Sequence, residues 1–167
     1  MWWEVCKIPN SSCIRNWKNR ILSDLQNDEE FLDVLGTTEE EREDLIYHRI
    51  FPHYYIPDTI QDVTSYIMLE IDIKSLSRTL IYSYPIITFT VLVHQDDMKL
   101  NIPGVSATRM DYLAELLDRK YNGAKDFGVG VLELKTSIAG NLDSKYRYRQ
   151  LVFKGVDIND ALCKSND

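Results

Sequence analysis

The sequence predicts an α+β fold: a small, mostly antiparallel sheet with a long helix packed across it and a helical N-terminal region. Three observations predict it. Up to residue 50, apolar side chains recur at helical spacing. After Pro52 they alternate, and β-branched and aromatic residues take over. A single helical stripe, over residues 106–121, interrupts that alternation.

Ile14, Trp17, Ile21, Leu22 and Leu25 follow the capping candidates Ser11 and Ser12, which predicts a first helix over residues 12–26. Phe31, Leu32 and Leu35 share one side of a second helix, residues 28–35, that stops at Gly36. Thr37 or Thr38 caps a third, whose first turn holds Glu39, Glu40 and Glu41, carboxylates suited to the positive end of the helix dipole. That acidic run reads as a solvated helix start. Residues 51–56 read as a short strand ended by Pro57-Asp58. Residues 63–73 read as a long one, with Val63, Ile67, Leu69, Ile71 and Ile73 inward and Thr64, Tyr66, Met68, Glu70 and Asp72 on a partly wet face.

Residues 85–93 place Ile87, Phe89, Val91 and Val93 inward, with Thr88 and Thr90 outward, which suits the central strand. A polar connection, residues 94–105, leads to Ser106 as the cap of a helix reaching Tyr121. Its stripe is Met110, Leu113, Leu116 and Leu117, and Asn122-Gly123 stops it. Two closing strands are expected over residues 128–135 and 146–154, joined by residues 137–144 with Gly140-Asn141 as the turn signal.

A chain of 167 residues with 44% hydrophobic composition is expected to form one domain, residues 1–167. Within it, residues 1–50 form the helical region, 51–154 the sheet-plus-helix core and 155–167 a C-terminal tail. A net charge of −7 repels a phosphate backbone, so no sequence-specific nucleic-acid partner is expected. No apolar run approaches the roughly 20 residues that cross a bilayer, and residues 1–7 lack the pattern of a secretory leader; an intracellular chain without a membrane partner is the expectation. Cys6, Cys13 and Cys163 fit neither a disulfide framework nor a zinc spacing and read as reduced thiols, and the Asn10-Ser11-Ser12 sequon is discounted with them.

The sharpest catalytic pattern is Pro57-Asp58 followed by Asp72-Ile73-Lys74, the spelling of PD-(D/E)XK nucleases, in which strand-borne carboxylates hold Mg²⁺ and a lysine steadies the attacking water. Glu70 would be an extra ligand. The same residues also read as the exposed face of a half-buried strand. His48, His53 and His94 lack metal-ligand spacing, and His94-Gln95-Asp96-Asp97 has no EF-hand spacing or glycine. Gly128-Val129-Gly130 opens no helix and reads as close backbone packing. No nucleophile motif is present. Tyr146-Arg147-Tyr148-Arg149 separates its rings and its guanidinium groups onto opposite strand faces, which favours a subunit contact over a nucleic-acid surface.

Four segments resemble the tail terminator or tail completion family of tailed-bacteriophage neck proteins: Tyr84-Pro85-Ile86-Ile87-Thr88-Phe89-Thr90-Val91-Leu92-Val93-His94-Gln95, Ala107-Thr108-Arg109-Met110-Asp111-Tyr112-Leu113-Ala114-Glu115-Leu116-Leu117, Phe127-Gly128-Val129-Gly130, and Tyr146-Arg147-Tyr148-Arg149-Gln150-Leu151-Val152-Phe153. The likeness spans residues 50–154. It implies a homomeric ring, commonly of six, that caps the tail tube and docks the head connector, assembled in the host cytoplasm and carried in the virion without a cofactor or a catalytic role. The helical residues 1–50 and the connection 94–105 are longer than that family's pattern.

Under the resemblance the interface candidates are His94, Gln95, Asp96, Asp97, Tyr146, Arg147, Tyr148 and Arg149, together with the sheet edges and residues 94–105 and 137–144. Two alternatives stand beside it. One is the Mg²⁺ nuclease using Asp58, Asp72 and Lys74. The other is a small intracellular adaptor whose acidic N-terminal helices bind a basic partner.

Overall fold

The computed structural model describes residues 11–55 and 62–159. Helix α1, Ser11–Gln26, buries Trp17, Ile21 and Leu25, which lie on one stripe at the expected spacing. Helix α2, Glu29–Leu35, has Asp28 as its N-cap: the Oδ1 of that residue accepts from the Phe31 N–H at 3.0 Å. It ends on Gly36 in the left-handed region at φ 76°, where the Arg109 guanidinium passes so close that a Cβ would meet Nη1 at 2.8 Å. Helix α3, Glu39–Glu43, opens on a full capping box between Thr38 and Glu41.

The predicted strand over residues 51–56 is far shorter. Strand β1, Ile50–Phe51, pairs parallel with β2 and stops where Pro52 offers no N–H; Ile56 and the Pro57-Asp58 stop lie outside the described residues. Strand β2, Ser65–Leu76, begins after Val63, which is exposed, and runs past Ile73 through a register shift. Its second face is drier than alternation alone predicts. Tyr66 and Met68 are buried with Phe51, Leu92 and Tyr146 in a small second core.

Strand β3, Tyr82–His94, is central, flanked by β2 and β5. A single 3₁₀ turn, Gln95–Asp97, follows. Helix α4, Arg109–Tyr121, starts two residues later than predicted because the Thr108 hydroxyl, not Ser106, accepts from the Asp111 N–H. Its buried stripe lies across β3 and β5 as the sequence predicts.

The closing hairpin differs most. Strand β4 is Glu133–Asn141, not residues 128–135, and β5 is Tyr146–Lys154 as predicted. Gly128 is held instead by backbone contact with Val156: at φ 84°, a Cβ there would stand 2.2 Å from the Val156 carbonyl oxygen. Gly140 and Asn141 belong to the strand. The turn is made by Asp143, whose Oδ1 accepts from the Lys145 and Tyr146 N–H groups, both at 2.7 Å. Past Gly155, residues predicted as a tail add β6, Asp157–Ile158, which pairs with the start of β3.

The chain is therefore α+β, with helices on one face of a mixed sheet ordered β1-β2-β3-β5-β4, and β6 on the side of that path. One main core joins α1, α2 and α4 to the inward residues of β2, β3 and β5. Trp17 meets Phe127 edge-on, with ring centroids 5.5 Å apart, and Phe89 stacks on Tyr121 at 5.0 Å.

Candidate assembly interface

The two candidate segments at residues 94–97 and 146–149 come together at one end of the sheet. His94 is the register partner of Tyr146, and the Gln95 N–H donates to the Lys145 carbonyl at 2.7 Å. The side chains divide into buried and exposed. His94 is 4% exposed and Tyr146 1%, their rings meeting edge-on at 5.0 Å. The Tyr146 hydroxyl donates to the Asp62 carbonyl, and burial pushes its phenol pKa up. Neither side chain is presented to a partner in this chain. They close the second core.

Asp97 is half-buried and committed internally. It accepts from the Ser65 hydroxyl at 2.6 Å and pairs with Arg109 at 3.2 Å. Gln95, Asp96 and Arg147 are exposed. Tyr148 is half-buried, its ring lying over Gly140 so closely that a Cβ there would stand 2.6 Å from the phenol carbon. Arg149 is half-buried and grips Asp111 of α4, at 3.0 Å from Nε and 2.8 Å from Nη2.

Two arginines that sequence reasoning missed organise the helical corner. Arg49 is buried, donating to the Leu35 carbonyl at 2.7 Å, the Ser65 carbonyl at 2.9 Å and Glu41 at 2.8 Å. Arg109 donates to the Val34 carbonyl at 2.6 Å and the Asp97 carbonyl at 2.8 Å. Together they satisfy the orphan carbonyls at the end of α2, where positive charge is favoured. Glu41 is thus a built part of that corner, not a freely solvated helix start. The only signal for Arg49 was a basic residue beside an apolar pair, and for Arg109 a cation in the first turn of a predicted helix, where the dipole disfavours it.

The nuclease pattern is not assembled among the described residues. Asp58 lies outside them, Asp72 and Lys74 are exposed near the end of β2, and Glu70 accepts from the Tyr54 N–H at 2.5 Å and faces Lys18 at 3.6 Å. No group of three or more His, Cys, Asp or Glu among the described residues is placed to hold a metal ion. Cys13 packs, half-buried, against the main core, while Cys6 and Cys163 lie outside the described residues. No described helix is long and apolar enough to cross a membrane.

What the fold does present is an edge. Strand β4 ends the sheet with β5 as its neighbour, and residues 135–139 are exposed in succession, so neither face of the strand is covered there. Residues 136–141 carry no charge and no proline, and Ile138 is 60% exposed. A register shift at Lys135 precedes them. Beside this edge, a groove of ≈ 310 Å³ separates β4 from the acidic flank of α4, Asp111, Glu115 and Asp118.

Helices laid on one face of a mixed, mostly antiparallel sheet, with a long uncovered edge strand, define a small α+β protein whose most open feature is a strand edge. A sequence model of the YomW family matches residues 19–155, and the chain belongs to the YomW family. That name derives from a Bacillus phage, and the chain is a phage-related protein. No curated protein matches the sequence.

Proposed function

We propose that the chain is a structural protein of the phage neck, a tail terminator subunit that forms a ring, caps the tail tube and joins the tail to the head connector. One observation carries the reading: the β4 edge, uncharged over residues 136–141, exposed on both faces and unpaired on its outer side among the described residues. Such an edge displays a row of main-chain donors and acceptors that can template another strand, a liability in a protein that works alone. In a ring every subunit finds a neighbour for it, and strand addition gives affinity through the main chain with no cofactor or catalytic group.

The partners are then further copies of this chain, the tail tube and the head connector, and the place of action is the virion, after assembly in the host cytoplasm. Membership of a phage-related family supports the phage setting of this reading.

The test is the mass of the purified full-length chain, by light scattering on a sizing column and native mass spectrometry across a concentration series, alone and with purified tail tubes. A discrete ring, six subunits being the expectation, is the supporting result. A monomer under every condition, tail tubes included, overturns the proposal.

A further inference from the structure

The geometry points to a specific partner for the β4 edge: the outer edge of β2 in a second copy of this chain, joined in one register fixed by four charges. The inference rests on the ring reading and names the contact that builds the ring.

The first argument is direction. Strands β2, β3, β5 and β4 are neighbours in that order and every pairing among them is antiparallel, so β2 and β4, at opposite ends of the row, run in opposite senses. A neighbour related by rotation about a ring axis brings its β2 to β4 in antiparallel alignment, and the alternation continues across the junction. Joining two different edges in this way is head-to-tail, the kind of contact that generates a closed ring when the rotation closes.

The second is availability. Strand β1 pairs with β2 only at Ile67 and Met68; beyond Met68, no described strand lies on the outer side of β2 as far as its end at Leu76. The Tyr54 N–H reaches the Glu70 side chain, not the β2 main chain.

The third is charge. The β4 edge carries Glu133 and Lys135, and the β2 edge carries Asp72 and Lys74, all four exposed. An antiparallel register that sets Glu133 opposite Lys74 brings Lys135, the extra residue at the β4 register shift, beside Asp72, with Thr136 directly opposite Asp72 and Ile138 opposite Glu70, the residue whose side chain holds the Tyr54 N–H. Both pairs are attractive. Slipping by two residues one way sets Glu133 against Asp72 while bringing Lys135 to Glu70, and the other way sets Lys135 beside Lys74, so only the first register makes every charged contact attractive. Slipping by one turns every side chain to the wrong face.

A lysine near a strand end ordinarily guards an edge against indiscriminate pairing. Here the register shifts at Lys135 in β4 and between Ile73 and Leu76 in β2 fall at one lysine on each edge, and the matching strand offers each of them a carboxylate. In the monomer Lys135 holds Glu133, so assembly exchanges that local pair for two between subunits. The exposed Ile138 stands in the same cross-sheet row as Gln150, Thr90 and Met68, which line a groove of ≈ 350 Å³ with Tyr54. The neighbour therefore offers a half-exposed aromatic ring on the sheet face where Ile138 needs cover.

The test combines charge reversal with zero-length carbodiimide cross-linking of the full-length chain. Lys74→Glu and Glu133→Lys should each raise the concentration at half assembly several-fold, and the double variant should recover most of the loss. Cross-linked wild-type rings should yield peptides joining Glu133 to Lys74 and Lys135 to Asp72. These are contacts between subunits, because within one chain β3 and β5 stand between the two strands. Wild-type rings that ignore both reversals and give neither cross-link overturn this pairing and leave the ring reading standing. A chain that never assembles overturns both.

Discussion

Strands β3 and β4 lie in one sheet with only β5 between them, and they use alternation in opposite ways. Every residue of β3 from Phe89 to His94 is buried, because one side of the strand faces the helices and the other lies over the small second core. On β4, by contrast, residues 135–139 are all exposed. The same backbone geometry therefore serves two ends: where both faces are covered, side chains hold the fold together, and where neither is covered, the main chain of the outer edge is what remains to interact.

The widest separation between the two strands should appear in stability. Phe89 is 0% exposed, stacked on Tyr121 at 5.0 Å and edge-on to Phe153 at 5.9 Å. Phe89→Ala should lower the unfolding free energy by about 3–5 kcal/mol, the usual cost of emptying a buried aromatic site. Ile138→Ala should stay within about 0.5 kcal/mol in urea unfolding at concentrations too low for assembly. An equal loss at both positions would mean that β4 is covered, and would remove the ground for treating its edge as an interface.

How far the sequence made this contrast visible depends on how local the deciding forces are. The three N-terminal helices, β3, α4 and β5 were legible, because each declares itself by spacing and by nearby caps such as Asp28, Thr38 and Gly36. Strand β4 was misplaced. Gly128-Val129-Gly130 resembles a strand start but is bound by backbone contact to Val156, far along the chain, while Gly140-Asn141 resembles a turn but is strand, its missing side chain filled by the Tyr148 ring. The real turn residue, Asp143, carries an equally local signal that the stronger glycine cue hid. His94 and Tyr146 were named as interface candidates, yet both are buried, because alternation cannot reveal a second core on the far face of a sheet. Arg49 and Arg109 were invisible as anchors, since the carbonyls they satisfy belong to residues distant in sequence.

A smaller effect probes the one place where β4 is tightly fitted. Because the Tyr148 ring occupies the space over Gly140, Gly140→Val should displace the ring and cost about 1–3 kcal/mol, the range for overpacking. Ala139→Val, next door and exposed, should be near neutral or slightly stabilising through strand propensity. Near-UV circular dichroism would report the tyrosine and thermal unfolding the stability. A neutral Gly140→Val would show that the Tyr148 ring is free to leave β4, so that the strand is as loosely held there as along its exposed run.

The smallest effect concerns acid, and it separates the helical corner from the edge once more. Burial pushes the Glu41 carboxyl up, yet the Thr38 N–H and the Arg49 guanidinium outweigh it and hold the group below its ordinary value. A carboxylate depressed in the folded state contributes stability that is fully present above the unfolded value, about 4.3 for glutamate, and is lost as pH falls through the folded one. Glu41→Gln should therefore lower stability at neutral pH, and the gap from wild type should narrow as pH drops below the ordinary carboxylate range. Glu133 is also held low, by Lys135, but that pair is solvent-exposed and screened, so Glu133→Gln should leave the stability profile of the monomer unchanged. Thermal unfolding of the three proteins from pH 7 to pH 3, kept dilute, reads both. A Glu133→Gln chain that tracks Glu41→Gln would place Glu133 in a structural role within the monomer, and its charge would no longer be available to choose a neighbour.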